Sequence, residues 1–292
     1  MIFYKNKIQI ATLIATQLVI FNPQCFAADA ATESAPAADT PVDISADSAA
    51  DATDQVSPYG SEHKRPLTQE EIHKMIGRMG EVEEVPEGFK FSDAEHLMWQ
   101  TEHLKNIDKP MRLYYEFTKS GSYEDGFNDS VYLDIIKIND DGTKNAVLDF
   151  FTGDRKQHVT PDNVTNITGN PVLGVYMQGD VMEMNRLTEG HWRHFQKMIK
   201  IALRKSAKVT PVTFDYNGKK VQGQKVEFSP YLDDPHRPDF AKFANKTYEL
   251  LFSDEVPGDL YEIKTVINDA QDATKEPLMV EKLVLVEATP TE

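Results

Sequence analysis

His191 and His194 stand three residues apart in a stretch of helical periodicity, a spacing that can present two imidazoles to one metal ion. The residues between them, Trp192 and Arg193, supply no carboxylate to act as a general base, and no third ligand follows at fixed spacing. The pair therefore reads as solvated helix histidines. His96 and His103, seven apart beside Glu95 and Glu102, read as a polar helix face. Residues 233–239, Asp-Asp-Pro-His-Arg-Pro-Asp, offer the oxygen donors that a hard cation takes. Their two prolines and interleaved charges equally describe a rigid surface loop, which is the reading adopted. A metal-dependent hydrolase built from His191, His194 and this loop is the catalytic alternative. No Gly-x-Ser-x-Gly elbow and no glycine-rich phosphate loop occurs, and no Ser-x-x-Lys stands between a strand and a helix. The expectation is a noncatalytic chain with no catalytic residues, no metal and no cofactor.

A sharper pattern is electrostatic. Arg193, Lys197, Lys200 and Arg204 recur at i, i+4, i+7 and i+11, which stacks them in one stripe of a helix. Lys205 and Lys208 extend its basic end. The whole chain of 292 residues carries a formal charge of −16, so nucleic acid is not an expected partner. A solvated helix face is the plain reading of the stripe. The functional reading is a surface that docks an anionic headgroup layer, an acidic envelope protein or the chain's own acidic segment.

The elements that would position these residues follow from periodicity. Thr68 with Glu71 forms a capping box ahead of Ile72, Met75, Ile76 and Met79 on one helical face, and Gly80 ends that helix. Ser92 with Glu95 opens a second helix, closed by Pro110. Met111, Leu113, Tyr115 and Phe117 then alternate with polar neighbours at the period of a strand. Residues 131–138 and 146–151 flank the turn Asn139-Asp140-Asp141-Gly142, forming a hairpin. Residues 172–177 read as a further strand, with Gly169-Asn170-Pro171 as the turn before it. One long helix, 189–206, has Trp192, Phe195, Ile199 and Ala202 as its apolar stripe. Strands resume with Val212-Phe214-Tyr216, the turn Asn217-Gly218, and 221–228. Tyr248-Leu250-Phe252, Tyr261-Ile263-Thr265-Ile267 and 278–286 complete the set.

Upstream, Lys5 and Lys7 precede an apolar stretch at 8–21, and Cys25-Phe26-Ala27-Ala28 supplies the small residues of a cleavage site. That order describes a secretory signal peptide over residues 1–27, too short and interrupted to span a bilayer. Cys25, the single cysteine, leaves with it, and loss of two lysines takes the formal charge from −16 to −18. Residues 28–66 are rich in Ala, Asp, Thr, Ser and Pro and read as a disordered acidic linker carrying Asp29, Glu33, Asp39, Asp43, Asp47, Asp51 and Asp54. Residues 67–292 form the expected single α+β domain: one curved antiparallel sheet, an open half-barrel, covered by two N-terminal helices and one long inserted helix.

The order of elements, with Gly218-Lys219-Lys220-Val221-Gln222-Gly223, Pro230-Tyr231, Tyr248, Val256-Pro257-Gly258 and Tyr261, resembles the periplasmic lipoprotein-carrier superfamily of Lol-type and outer-membrane lipoprotein-sorting-like proteins. That resemblance implies a half-barrel that binds acyl chains in its apolar concavity without a cofactor. The long linker and the basic helix are departures from it. The functional expectation is a periplasmic or secreted protein that binds an apolar or lipid-like ligand, or an envelope partner. Leu113, Tyr115 and Phe117, facing Tyr248, Leu250 and Phe252, would line the concavity or simply form its core. The alternative is an interaction protein docking through the basic helix. N-terminal sequencing of the exported protein is expected to start within a few residues of Ala28. A start at Met1, or a lipid on Cys25, contradicts this.

Overall fold

Alternation along the first strand sets the architecture. In β1 (Met111–Ser120) the odd-numbered side chains through Lys119 are buried and the even-numbered ones face outward. The computed structural model describes residues 90–157, 163–269 and 275–291. The expected signal peptide, linker and first helix (Thr68 to Gly80) lie outside the described residues.

Eight further strands follow: β2 (Phe127–Ile138), β3 (Lys144–Phe150), β4 (Asn163–Ile167), β5 (Lys208–Tyr216), β6 (Lys219–Phe228), β7 (Lys246–Phe252), β8 (Leu260–Ile267) and β9 (Met279–Pro290). They form one open antiparallel sheet in the order β4-β3-β2-β1-β9-β8-β7-β6-β5. Every neighbour except β9 beside β1 is consecutive in sequence. That joint runs from Met111 opposite Pro290 to Ser120 opposite Val280, and it welds two meanders into one sheet. Bulges interrupt the β1–β9, β2–β3, β3–β4 and β7–β8 pairings, and each bends its strand. The β5–β6 hairpin turns at Asn217 and Gly218, both with positive φ. Beyond the end of β7 it curls over the outer face, so that Phe214 of β5 stacks on Tyr261 of β8 with centroids 4.5 Å apart. Gly223 permits the approach, because a Cβ there would collide with the Phe252 carbonyl and the Phe214 ring.

Two helices, not one, are inserted between β4 and β5. Residues 172–177, expected as a strand, are the first turns of α1 (Pro171–Thr188). Their run Val-Leu-Gly-Val-Tyr-Met is buried on nearly every side, so it shows no 3.6-residue stripe and looks like a short buried strand. Asn170 is the N-cap rather than part of a turn: its Oδ1 accepts from the Val172 amide at 3.1 Å, and Pro171 fills the first helical position. Glu189, expected to begin the next helix, instead takes a left-handed conformation that ends α1. After Gly190, α2 (Trp192–Lys205) starts with His191 as its cap. Phe195, Ile199, Ala202 and Leu203 are its buried face, and Trp192 is half-buried.

The capping box at Ser92 and Glu95 forms as expected, but only Asp93–Glu95 is α-helical. His96–Gln100 winds on as a π-helix, followed by a 3-10 turn at His103–Asn106. This segment lies against α2, with the Ser92 hydroxyl donating to the Leu203 carbonyl at 2.8 Å. Among the described residues no helix is long and apolar enough to cross a membrane.

Asn170 also ties α1 to the sheet, its Nδ2 donating to the Tyr115 hydroxyl and to the Gly258 carbonyl, each at 3.0 Å. Asn170→Ala removes a cap worth about 1 kcal/mol and orphans buried acceptors at about 1–3 kcal/mol. Urea denaturation is expected to show a combined loss of about 2–4 kcal/mol. A change below about 0.5 kcal/mol, the usual range for surface positions, would show that the anchor is dispensable.

Candidate functional site

The inner face of the sheet is largely apolar, and a group of charged residues stands on it beneath α1. Lys119 follows Leu113, Tyr115 and Phe117 in the inward register of β1, and Lys246 precedes Tyr248, Leu250 and Phe252 in that of β7. Glu281 of β9 and Thr265 of β8 share that face, and all four polar residues are at most 4 % exposed. From above, α1 lowers Asp180 and Glu183 onto them, one turn apart and both buried.

The pairing is specific. The Lys246 ammonium bonds Asp180 Oδ1, and the Tyr248 hydroxyl donates to Asp180 Oδ2 at 2.5 Å. Lys119 Nζ donates to Glu183 Oε1 at 2.7 Å and also pairs with Glu124 from the β1–β2 loop. Arg186, one turn further along α1, clasps Glu183 and Glu124 at 2.7 Å each. Burial alone would raise the Glu183 carboxyl, but the Arg186 hydrogen bonds and the Lys119 charge outweigh it and hold the group below the ordinary glutamate range. Burial would likewise strip the protons from Lys119 and Lys246. The surrounding carboxylates reverse the sign and hold both above the usual lysine value.

Glu281 behaves differently. Its oxygens find only distant partners, Thr265 Oγ1 at 3.4 Å and Lys119 Nζ at 3.7 Å. Burial pushes its carboxyl up against the opposing pull of Lys246 and Lys119, with Glu183 and Asp180 adding to the rise. Around it, Lys119, Lys246 and Arg186 are paired with Glu124, Asp180 and Glu183. The Tyr176, Tyr231 and Tyr248 phenols, fully buried, are pushed well above their ordinary value and stay neutral. Only about 10 Å³ of space remains here, bounded by Tyr176, Asp180, Glu183, Glu281 and the rings of Phe117, Phe150 and Phe151.

This cluster has no counterpart in the sequence reading, although a signal was present. Lys119, Lys246 and Glu281 each stand in the inward phase of a strand whose other inward residues are apolar. The six expected lining residues, Leu113, Tyr115, Phe117, Tyr248, Leu250 and Phe252, do share the inner face, at 0–2 % exposure and under the helices. Arg193, Lys197, Lys200 and Arg204 line the exposed side of α2. Arg193 lies 5.0 Å over the Trp192 ring, and Arg204 reaches Glu95 Oε1 at 3.0 Å.

The histidines divide. His191 Nδ1 accepts from the Arg193 amide at 3.2 Å and caps α2, whereas His194 Nε2 meets the buried Asp234 Oδ2 at 2.6 Å. His236 lies edge-on to His194, with ring centroids 5.3 Å apart. Asp234 Oδ1 accepts from the His236 amide at 2.9 Å and shapes the 233–239 loop. No group of three or more metal-ligating side chains occurs among the described residues. His96 is exposed as expected, but His103 is buried. Its Nδ1 accepts from the Asn170 amide at 3.2 Å and its Nε2 bonds the Leu97 carbonyl at 2.8 Å. Burial lowers its pKa to about 4, so it acts as a neutral strut.

A second recess of about 390 Å³ opens on the outer face under the curled hairpin, between Tyr216, Tyr261, Glu116, Thr118, Lys282 and Val284. The sheet itself separates it from the inner face.

No protein-family model matches the chain, and no curated protein matches it. Among solved structures it is similar to the lipoprotein LppX of Mycobacterium tuberculosis, at 9 % identity over 69 % of this chain and 99 % of that one, with a TM-score of 0.30. It is also similar to a LolA superfamily protein from Nitrosomonas europaea, at 8 % identity over 68 % of this chain and 94 % of that one, with a TM-score of 0.19.

Removing one member of a buried ion pair leaves its partner uncompensated, at a cost of about 3–5 kcal/mol, whereas replacing both by apolar residues is close to neutral. Lys246→Met alone is therefore expected to lose that amount in urea denaturation, and Asp180→Leu/Lys246→Met to recover most of it. A double variant as unstable as the single one would show that the cluster does not behave as a pair.

Proposed function

We propose that this protein is a noncatalytic periplasmic binding protein that takes an apolar or lipid-like ligand between the inner face of the sheet and its helical cover. One observation carries the reading: α1 is fastened across an otherwise apolar floor by ion pairs to Lys246 and Lys119. Apolar contacts lose their stabilisation when they are opened to water, but separated charges regain hydration. A charged seam fixes where the helix docks and adds little net resistance to its leaving. Lifting α1 uncovers Tyr115, Phe117 and Tyr248 of the two apolar rows, which an acyl chain would cover again. The closed form is filled, so binding requires exchange of the helix for the ligand.

A second reading, docking of an envelope partner through α2, is favoured by the exposed row of Arg193, Lys197 and Lys200. It concerns the opposite side of the cover and is compatible with the first.

Organic extraction of protein purified from the periplasm, followed by mass spectrometry, is expected to release an apolar compound. The extracted protein should then bind an environment-sensitive fluorescent fatty acid saturably. An empty extract together with no saturable binding would sink the reading.

A further inference from the structure

The sheet holds a carboxylate in a receptor of its own making. Asp180 belongs to α1, but both of its oxygens are bound by β7, one by the Lys246 ammonium and the other by the Tyr248 hydroxyl at 2.5 Å. The Tyr231 hydroxyl stands behind, 3.4 Å from that of Tyr248. Lys119, on the same floor, receives Glu183 from the next turn of the same helix. Lys246 thus depends on α1 for its counter-charge, whereas Lys119 keeps Glu124 of the β1–β2 loop, and α1 covers the proposed ligand site.

We infer that the ligand is an amphiphile with an anionic head, carboxylate or phosphate, on an acyl chain, and that Asp180 holds the place of that head in the closed form. This rests on the proposed exchange of α1 for a ligand. When α1 leaves, Lys246 and Lys119 lose Asp180 and Glu183 together. A neutral ligand would cover the apolar rows and leave the Lys246 ammonium without its ion-pair partner on a low-dielectric floor, which is strongly unfavourable. An anionic head restores the charge, and it inherits donors already oriented for two oxygens of one acid group. Glu281, the remaining acid of the floor, is poorly placed to substitute, because its nearest ammonium contact is 3.7 Å, to Lys119. The outer recess lacks this arrangement, since its Lys282 is already paired with Glu262 at 3.0 Å.

The test compares heads on equal chains, using the delipidated full protein and displacement of a fluorescent fatty acid. Oleic acid is set against methyl oleate, and lysophosphatidic acid against lysophosphatidylcholine. A preference of about tenfold or more for the acid in the first pair, some 1.4 kcal/mol, assigns a fatty acid. The same preference confined to the second pair assigns an anionic phospholipid. Either result supports the inference. Asp180→Leu/Lys246→Met, which keeps the seam packed without the receptor, should reduce that preference at least several-fold while leaving the neutral competitor unchanged. Equal affinity for acid and ester, and for both phospholipids, overturns the anionic head but leaves apolar binding standing. Failure of every compound to bind overturns both.

Discussion

Lys246 and Asp180 meet where neither reaches water, and the position of α1 on the sheet follows from that contact. A buried ammonium without a counter-ion is far more costly than the pair is stabilising, so the helix has one acceptable register. A shift by one residue would carry Asp180 away from Lys246 and Glu183 away from Lys119 at once. The apolar residues around them, packed on nearly all sides of α1, would tolerate several registers of similar volume. The charges therefore select among packings that hydrophobic burial alone leaves close in free energy.

The sheet can present such a receptor because β9 lies between its two halves. Lys119 comes from the first meander and Lys246 from the second, and the long β1–β9 ladder joins the two within the sheet. Glu281 sits on β9 between them, which explains its environment. A third floor charge at the seam of two cationic sites is drawn by both and adequately bonded by neither. Burial, with Glu183 and Asp180 adding to it, raises its carboxyl above the ordinary glutamate range against the pull of both lysines.

How far the sequence exposes this arrangement depends on which signal each element gives. Strands with one wet face alternate visibly, so β1, the β2–β3 hairpin, the β5–β6 hairpin and β7 are legible from periodicity alone. A helix buried all round gives no stripe, and α1 is lost among apolar residues that suit a strand equally well. Its start was nonetheless written in Asn170-Pro171, a cap followed by the proline of a first turn, which reads as a plain turn when the run after it is taken for a strand. Tyr261 shows a subtler failure. A bulge opposite Leu251 and Phe252 shifts the phase of β8, so strict alternation puts this residue on the inner face when it stacks outside on Phe214. The buried charges were legible only as exceptions. A lysine at an inward position of an apolar strand demands a partner, but nothing in one strand says that the partner arrives from a helix 64 or 66 residues away.

The two helices of the cover are held by different means, and the difference supports the exchange proposed for α1. Phe195 of α2 packs edge-on against Tyr231 and Phe240, His194 bonds Asp234, and the far end is tied to the N-terminal segment through Leu203 and Arg204. These contacts spread along the whole of α2 and join it to two separate segments, the β6–β7 connection and the N-terminal segment. The polar anchors of α1 are concentrated at Asn170 and at the acids of its middle turns, all of them facing the sheet. The link between the helices is short, with Asn185 Nδ2 donating to the Gly190 carbonyl at 2.7 Å and Glu189 in a left-handed conformation. A force that replaces the acids of α1 at the floor would release its central turns while Asn170 and the Gly190 link held its two ends. Such a motion opens the inner face between β1 and β7, where the lysines stand, and leaves the exposed basic side of α2 in place.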